Sequence, residues 1–261
     1  MITRNPFDRH GIDHLSPSSL NLYAAEPALW VMERLLGRRS PISANAARGK
    51  AVEHGIHLGL MNPDLPVVEA AIAAQRAFDR EMTLNPDARR EVERKTLAGY
   101  VEHGLKELRQ YGAPSAYQEK VSITLDEVPV PIIGYIDWRF DSHGLIVDLK
   151  TAARLPSSIR DSHGRQGAVY AKAHDNYGMR FAYVKPIVGK TDGRAVAVYE
   201  MSGDALRGHL EALRQIAIRL GRFLALSSDT DELAGLMVPN YDAFYWNNAT
   251  TRADGARLYG F

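Results

Sequence analysis

Residues 130–151 read VPIIGYIDWRFDSHGLIVDLKT, and the alternation in this stretch decides the fold. β-Branched and aromatic residues recur on both sides of Asp141-Ser142-His143-Gly144, a turn-forming quartet that ends in glycine. Two strands joined by a tight turn are therefore expected at 130–140 and 145–151. In the second, alternation sends Leu145, Val147 and Leu149 one way and Ile146, Asp148 and Lys150 the other. The first is expected to behave alike, with Ile136, Trp138 and Phe140 on one face and Tyr135, Asp137 and Arg139 on the opposite one. Each strand then has a core face and a face that carries charge. Across the hairpin, Asp137 approaches Asp148 and Lys150.

Working outward, strands are expected at 119–125, 180–188 and 195–201, with a helix at 162–176 between the third and fourth. A further amphipathic helix at 204–226 places Leu206, Leu210, Leu213, Ile216, Ala217 and Leu220 on one stripe. Upstream, Ser16-Pro17 is a helix start, because the serine caps free N–H groups and proline suits the first turn. That helix is expected to run to Leu36. A second helix carries Arg48 to His54, and two longer ones follow at 66–82 and 86–111. The basic run Arg89, Arg90, Arg94 and Lys95 reads first as a solvated face. Beyond the last amphipathic helix lies an aromatic tail without regular period, including Tyr241, Phe244, Tyr245 and Trp246. The expected class is α/β: a central mixed sheet flanked by helices, with an N-terminal helical lobe at 1–116, a core at 117–226 and a tail at 227–261 packed on it.

With 45% hydrophobic and 24% charged residues, the 261-residue chain has enough apolar side chains to form a packed core. Thirty-two Lys and Arg against 31 Asp and Glu leave no global charge excess, so a surface for a polyanion has to be local. The absence of cysteine excludes disulfides, thiolate metal sites, iron-sulfur clusters and thiol nucleophiles. The first residues contain no apolar run suited to a signal peptide, and no 18-residue apolar stretch occurs, so a cytoplasmic protein is expected.

Two carboxylates brought together repel unless a cation lies between them, and oxygen-only ligands select Mg²⁺ or Mn²⁺. A lysine beside such a pair can hold an attacking water or meet charge developing on a phosphate. The next helix contributes Gln166 and Tyr170, an i, i+4 pair on one face. Together, Gly134-Tyr135-Ile136-Asp137, Asp148-Leu149-Lys150-Thr151 and Gln166-Gly167-Ala168-Val169-Tyr170 resemble the RecB-like branch of the PD-(D/E)XK nuclease superfamily, in the family's order.

That resemblance implies a restriction-endonuclease-like core and metal-dependent hydrolysis of phosphodiester bonds. The implied substrate is DNA, taken most readily at its ends by an exonuclease of phage or prophage recombination type. An endonuclease in DNA repair or host defence, and a non-catalytic DNA-binding module, are the rival readings. For a recombination exonuclease the implied partner, besides DNA, is a single-strand annealing or other recombination protein. Catalytic roles fall on Asp137, Asp148, Lys150, Gln166 and Tyr170.

The family's first metal ligand is a histidine four residues after a helical glycine. Here Gly49 plus four is Glu53, and His54 lies one place on. Glu53 fits the spacing and His54 the residue type; Glu53 is favoured, with His54 as the alternative metal ligand beside Asp137 and Asp148. Glu26-Pro27 stands where iron-sulfur members have Cys-Pro. Glu119 resembles an additional acidic residue of some members, which would touch a metal-bound water; an ordinary exposed strand glutamate is the equal alternative. His143 and His163 read first as solvent-exposed polar residues; both are expected near the site, with a supporting contact to phosphate as the other reading.

Overall fold

The computed structural model describes residues 5–186 and 193–261. A short helix, α1 (Pro6–Arg9), precedes α2 (Pro17–Ala25), whose first turn is capped by Ser16 Oγ accepting from the Ser19 N–H at 3.1 Å. The single helix expected from 15 to 36 is broken. A residue before proline is pushed out of the helical region, and Glu26 takes φ −146° and ψ 79° ahead of Pro27. The chain restarts as α3 (Pro27–Trp30) and continues into a wide π turn at Val31–Leu35.

Next come α4 (Ala44–Met61), capped by Ser43, and α5 (Val67–Leu84). The helix expected at 86–111 is two pieces, α6 (Arg90–Arg94) and α7 (Leu97–Leu108). The break falls where the N–H and hydroxyl of Thr96 both close on the Glu93 carbonyl. The basic run is tied to acids: Arg90 and Arg94 hold Asp79, and Arg89 holds Glu93.

The sheet is built from β1 (Ala116–Ile123), β2 (Ile132–Phe140), β3 (Leu145–Thr151), β4 (Gly178–Val184) and β5 (Val196–Glu200), in that spatial order. β3 and β4 are parallel and the other neighbours antiparallel, so the sheet is mixed as expected. Parallel neighbours need a crossover, and α8 (Asp161–Ala173) supplies it between β3 and β4. Gly144, at φ 54°, takes the left-handed conformation that ends the β2–β3 turn. The last residues expected in the fourth strand, 187 and 188, lie outside the described residues.

After β5, α9 (Gly203–Leu224) lays its expected stripe on the core: Leu213, Ala217 and Leu220 are buried, and Leu206, Leu210 and Ile216 are packed against them. Fully burying a leucine contributes about 1.5–3 kcal/mol, so this stripe alone anchors the helix. Two helices were not anticipated in the tail, α10 (Thr230–Gly235) and α11 (Ala249–Tyr259). The cap of α11 was in the sequence, since Asn248 Oδ1 accepts from the Thr251 N–H at 3.1 Å, but the aromatic cluster before it hid the pattern. Trp246 is buried against Ala28, Leu29 and Met32. Among the described residues no helix is long and apolar enough to cross a membrane.

The two faces of the sheet are covered by different helices. One packs Trp138, Phe140, Val147 and Leu149 against Ile56, Phe78 and Leu105 of α4, α5 and α7. The other packs Ile136 and Ile146 against Leu20, Val169, Tyr170, Leu213 and Leu220 of α2, α8 and α9. This corrects the expectation that Ile136 shares a face with Trp138 and Phe140. The β1–β2 ladder skips a rung, pairing Tyr117 with Trp138 and Glu119 with Ile136. Between them Gln118 has φ 51°. The alternation of β2 reverses at Asp137, across from the left-handed Gln118 of β1.

Candidate active site

Asp137 is buried where β2 parts from β3. The last main-chain pair is Trp138 with Val147, and the Leu149 N–H donates instead to Asp137 Oδ2 at 2.8 Å. The carboxylate therefore replaces a rung of the ladder, which fixes its position. Asp148 follows Ile146 by alternation toward α8 and is fully buried. Lys150 Nζ lies 2.6 Å from Asp148 Oδ2 without hydrogen-bond alignment, while Asp148 Oδ1 has no partner among the described residues.

The lysine continues into α8. Its ammonium donates to Gln166 Oε1 at 2.9 Å, and Gln166 Nε2 donates to Tyr170 Oη at 2.7 Å. The i, i+4 pair thus forms one hydrogen-bonded relay with Lys150. Gly134 makes room for it, since a Cβ there would meet Tyr170 Cε1 at 2.6 Å. Burial, then the charges of Asp148 and Asp137, raise the Tyr170 phenol well above its ordinary pKa, so it keeps its proton.

Glu53 reaches the same region from α4. Gln118 Nε2 donates to Glu53 Oε1 at 2.5 Å and lies 3.4 Å from Asp137 Oδ1. His54 is exposed and makes no hydrogen bond or ion pair among the described residues. Burial raises the Glu53 carboxyl, and Asp148 adds to this against the hydrogen bond from Gln118. Burial, then Asp148 and Glu53, push Asp137 far upward. Asp148 is raised by burial despite Lys150. Burial works to lower Lys150, but Asp148 and Asp137 outweigh it and hold the ammonium above its ordinary range.

These are carboxylates that feel one another in a dry place, though not a ready-made cage. Among the described residues no three acidic or imidazole groups are already gathered around one point. Asp137 leans on Leu149, Asp148 on Lys150 and Glu53 on Gln118. The donor set nevertheless fits a hard divalent cation, because all its atoms are oxygen and the buried Asp148 Oδ1 lacks a partner.

The other expected residues differ in what they meet. Glu119 Oε2 is 3.1 Å from Arg139 Nε and 3.6 Å from His174 Nε2, in a network apart from Asp148. His143 sits against Tyr111 at the start of the β3 hairpin, five residues from Asp148 and on the order of 16 Å along the strand. His163 does lie near Lys150, with Nδ1 2.8 Å from Tyr183 Oη. Burial, then Lys150 and Arg160, press its imidazole down to about 3, so at neutral pH it is uncharged.

Sequence reading missed Gln118, a glutamine in a strand with nothing to mark it. It also missed Arg48, which is buried over the Tyr100 ring, paired with Glu93, and within hydrogen-bond reach of Thr151 Oγ1 at 3.3 Å.

The placement of Glu53 and His54 predicts unequal substitutions. For the nuclease chemistry expected from the sequence, Glu53→Ala should lose nearly all cleavage of DNA and His54→Ala keep a substantial part. Equal residual rates in a nuclease assay would detach α4 from the site, and the reverse ranking would assign the role to His54.

The family model of the PD-(D/E)XK nuclease superfamily matches residues 14–229. No curated protein matches the chain significantly. Among solved structures, a candidate exonuclease from Eubacterium rectale superposes with a TM-score of 0.54 at 15% identity, covering 95% of this chain and 94% of that one. SSO0001 superposes with a TM-score of 0.35 at 16% identity, covering 74% and 84%. At such identities the likeness is one of fold, and the first structure alone carries it. With its mixed sheet, the paired aspartates and lysine at the β2–β3 junction, and a family match over most of its length, this chain belongs to the PD-(D/E)XK nuclease superfamily.

Proposed function

We propose that this protein is a Mg²⁺- or Mn²⁺-dependent deoxyribonuclease of the RecB-like branch, acting on DNA ends as an exonuclease of phage or prophage recombination type. The observation that carries the reading is the buried Asp148 carboxylate, paired with Lys150 but accepting no hydrogen bond among the described residues, across from Asp137, with Lys150 linked to Gln166 and Tyr170. Core 117–226 would supply this cluster, and helical region 1–116 would bring Glu53 to it.

In this reading Glu53, Asp137 and Asp148 hold the cation. A divalent cation held there would supply an activated water and would offset charge on the scissile phosphate. The Leu149 N–H donates to Asp137, so this ligand from the sheet would be held in place. Lys150 keeps its proton and can donate it in a hydrogen bond to the attacking water or to a phosphate oxygen. Gln166 fixes the direction of that ammonium, and Tyr170 fixes Gln166.

The test uses end-labelled linear DNA and closed circular DNA with Mg²⁺, Mn²⁺, Ca²⁺ or excess chelator. Stepwise loss of label from the linear form only, with Mg²⁺ or Mn²⁺, is the expected result. Ca²⁺ should support cleavage poorly because its larger radius and looser coordination disturb alignment. Cutting of the circle would make the protein an endonuclease of repair or defence type. Binding without cleavage would make it a DNA-binding module, and full cleavage in chelator would remove the cation from the mechanism.

A further inference from the structure

We propose that Gln118 is a positioning residue for the cation site: its side-chain amide ties Glu53 of α4 to Asp137 of β2, so that both carboxylates are held toward one point before a cation arrives. This rests on the nuclease reading above. The amide nitrogen is 2.5 Å from Glu53 Oε1 and 3.4 Å from Asp137 Oδ1. Those two acids come from separate elements and repel each other. Asp137 is already fixed by the Leu149 N–H, whereas Glu53 receives no main-chain N–H among the described residues and meets side chains of β1 instead. Through Gln118 the fixed carboxylate passes its position to the free one.

The backbone supports this assignment. Gln118 is exposed, yet it holds φ 51°, a conformation that glutamine rarely adopts and that surface exposure does not require. Such a conformation persists when surrounding structure imposes it, and it clusters at functional sites. Here it coincides with the skipped rung of the β1–β2 ladder opposite Asp137. A carboxylate oxygen offers more than one lone pair, so the amide N–H and a cation can share the same acids without excluding each other.

The test is calorimetric titration of Mn²⁺ into the metal-free full-length chain, for the parent, Gln118→Ala, Gln118→Gly and Asp148→Ala, with thermal unfolding of each. Loss of a group that orients ligands typically weakens metal affinity by about 10–100-fold, and that weakening is expected for both Gln118 variants. Gln118→Gly should at the same time unfold at the parent's temperature or above it, because glycine takes a positive φ without strain. A merely structural residue cannot give weaker binding with undiminished stability. Joint loss of affinity and stability in Gln118→Gly would overturn the proposal, as would parent-like Mn²⁺ binding. Tighter binding would also overturn it, marking the amide as an occupant of the cation's place. Identical binding by the parent and Asp148→Ala would overturn the site itself and this inference with it.

Discussion

Asp137→Asn is expected to abolish cleavage while making the metal-free protein more stable at neutral pH. The catalytic loss follows from removing a charged cation ligand, which forfeits several kcal/mol of transition-state stabilisation, roughly 10³-fold in rate. The gain in stability follows from the electrostatics. Burial and the neighbouring charges of Asp148 and Glu53 raise the folded-state pKa of Asp137 far above the ordinary aspartate value of 3.8. A raised carboxylate binds its proton more tightly in the folded chain than in the unfolded one. Metal-free stability therefore falls as pH rises from about the unfolded pKa, 3.8, toward the raised folded value. Asparagine removes that cost and can still accept from the Leu149 N–H. Thermal unfolding in chelator at pH 7.5 should thus show a higher Tm for the variant, by about 2–4 °C per kcal/mol relieved. The difference should vanish near pH 4. A variant that is less stable than the parent at neutral pH, or that cleaves at the parent's rate, would contradict the placement of Asp137.

Lys150→Met is expected to show the opposite pattern: turnover lost, cation binding kept, and a metal-free protein that is destabilised. Among the described residues the ammonium is the one cationic group paired with Asp148, at 2.6 Å, and methionine fills similar space without charge. Breaking a fully buried ion pair by removing one partner costs about 3–5 kcal/mol. The cost here is smaller, because the Lys150 side chain is 19% exposed and Asp148 can take up a proton. A divalent cation would replace the missing positive charge, so Mn²⁺ should restore much of the lost Tm without restoring cleavage. The measurements are unfolding with and without Mn²⁺, calorimetric Mn²⁺ affinity, and a nuclease assay. Loss of Mn²⁺ affinity as large as in Asp137→Asn would contradict the division of roles between ligand and donor.

Much of the candidate site was legible because it is local. Alternation placed Asp148 and Lys150 on the same side of β3, and the four-residue spacing placed Gln166 and Tyr170 on the same side of α8; the contacts among Lys150, Gln166 and Tyr170 follow from those two periods. A mixed sheet was expected, and the helix expected between β3 and β4 is the crossover that their parallel pairing needs. Glu119 and His143 were drawn toward the site by resemblance and by nearness in sequence. Glu119 instead found Arg139 and His174, partners that strand alternation cannot foresee.

Local spacing was enough for the α/β class, the sheet-borne aspartates, the lysine and its relay, because periods of 2.0 and 3.6 residues are properties of the backbone itself. Tertiary packing alone decided the rest. Whether Glu53 or His54 meets the sheet depends on how α4 is rotated. That rotation is fixed by Gly55, where a Cβ would come within 2.7 Å of the Ala70 carbonyl and 2.9 Å of Ala74, pressing α4 against α5. The same contact leaves Glu53 beside Gln118 and His54 exposed. The reversal at Gln118 was likewise invisible in sequence, since a glutamine adopts φ 51° only when long-range contacts on both sides of the strand require it.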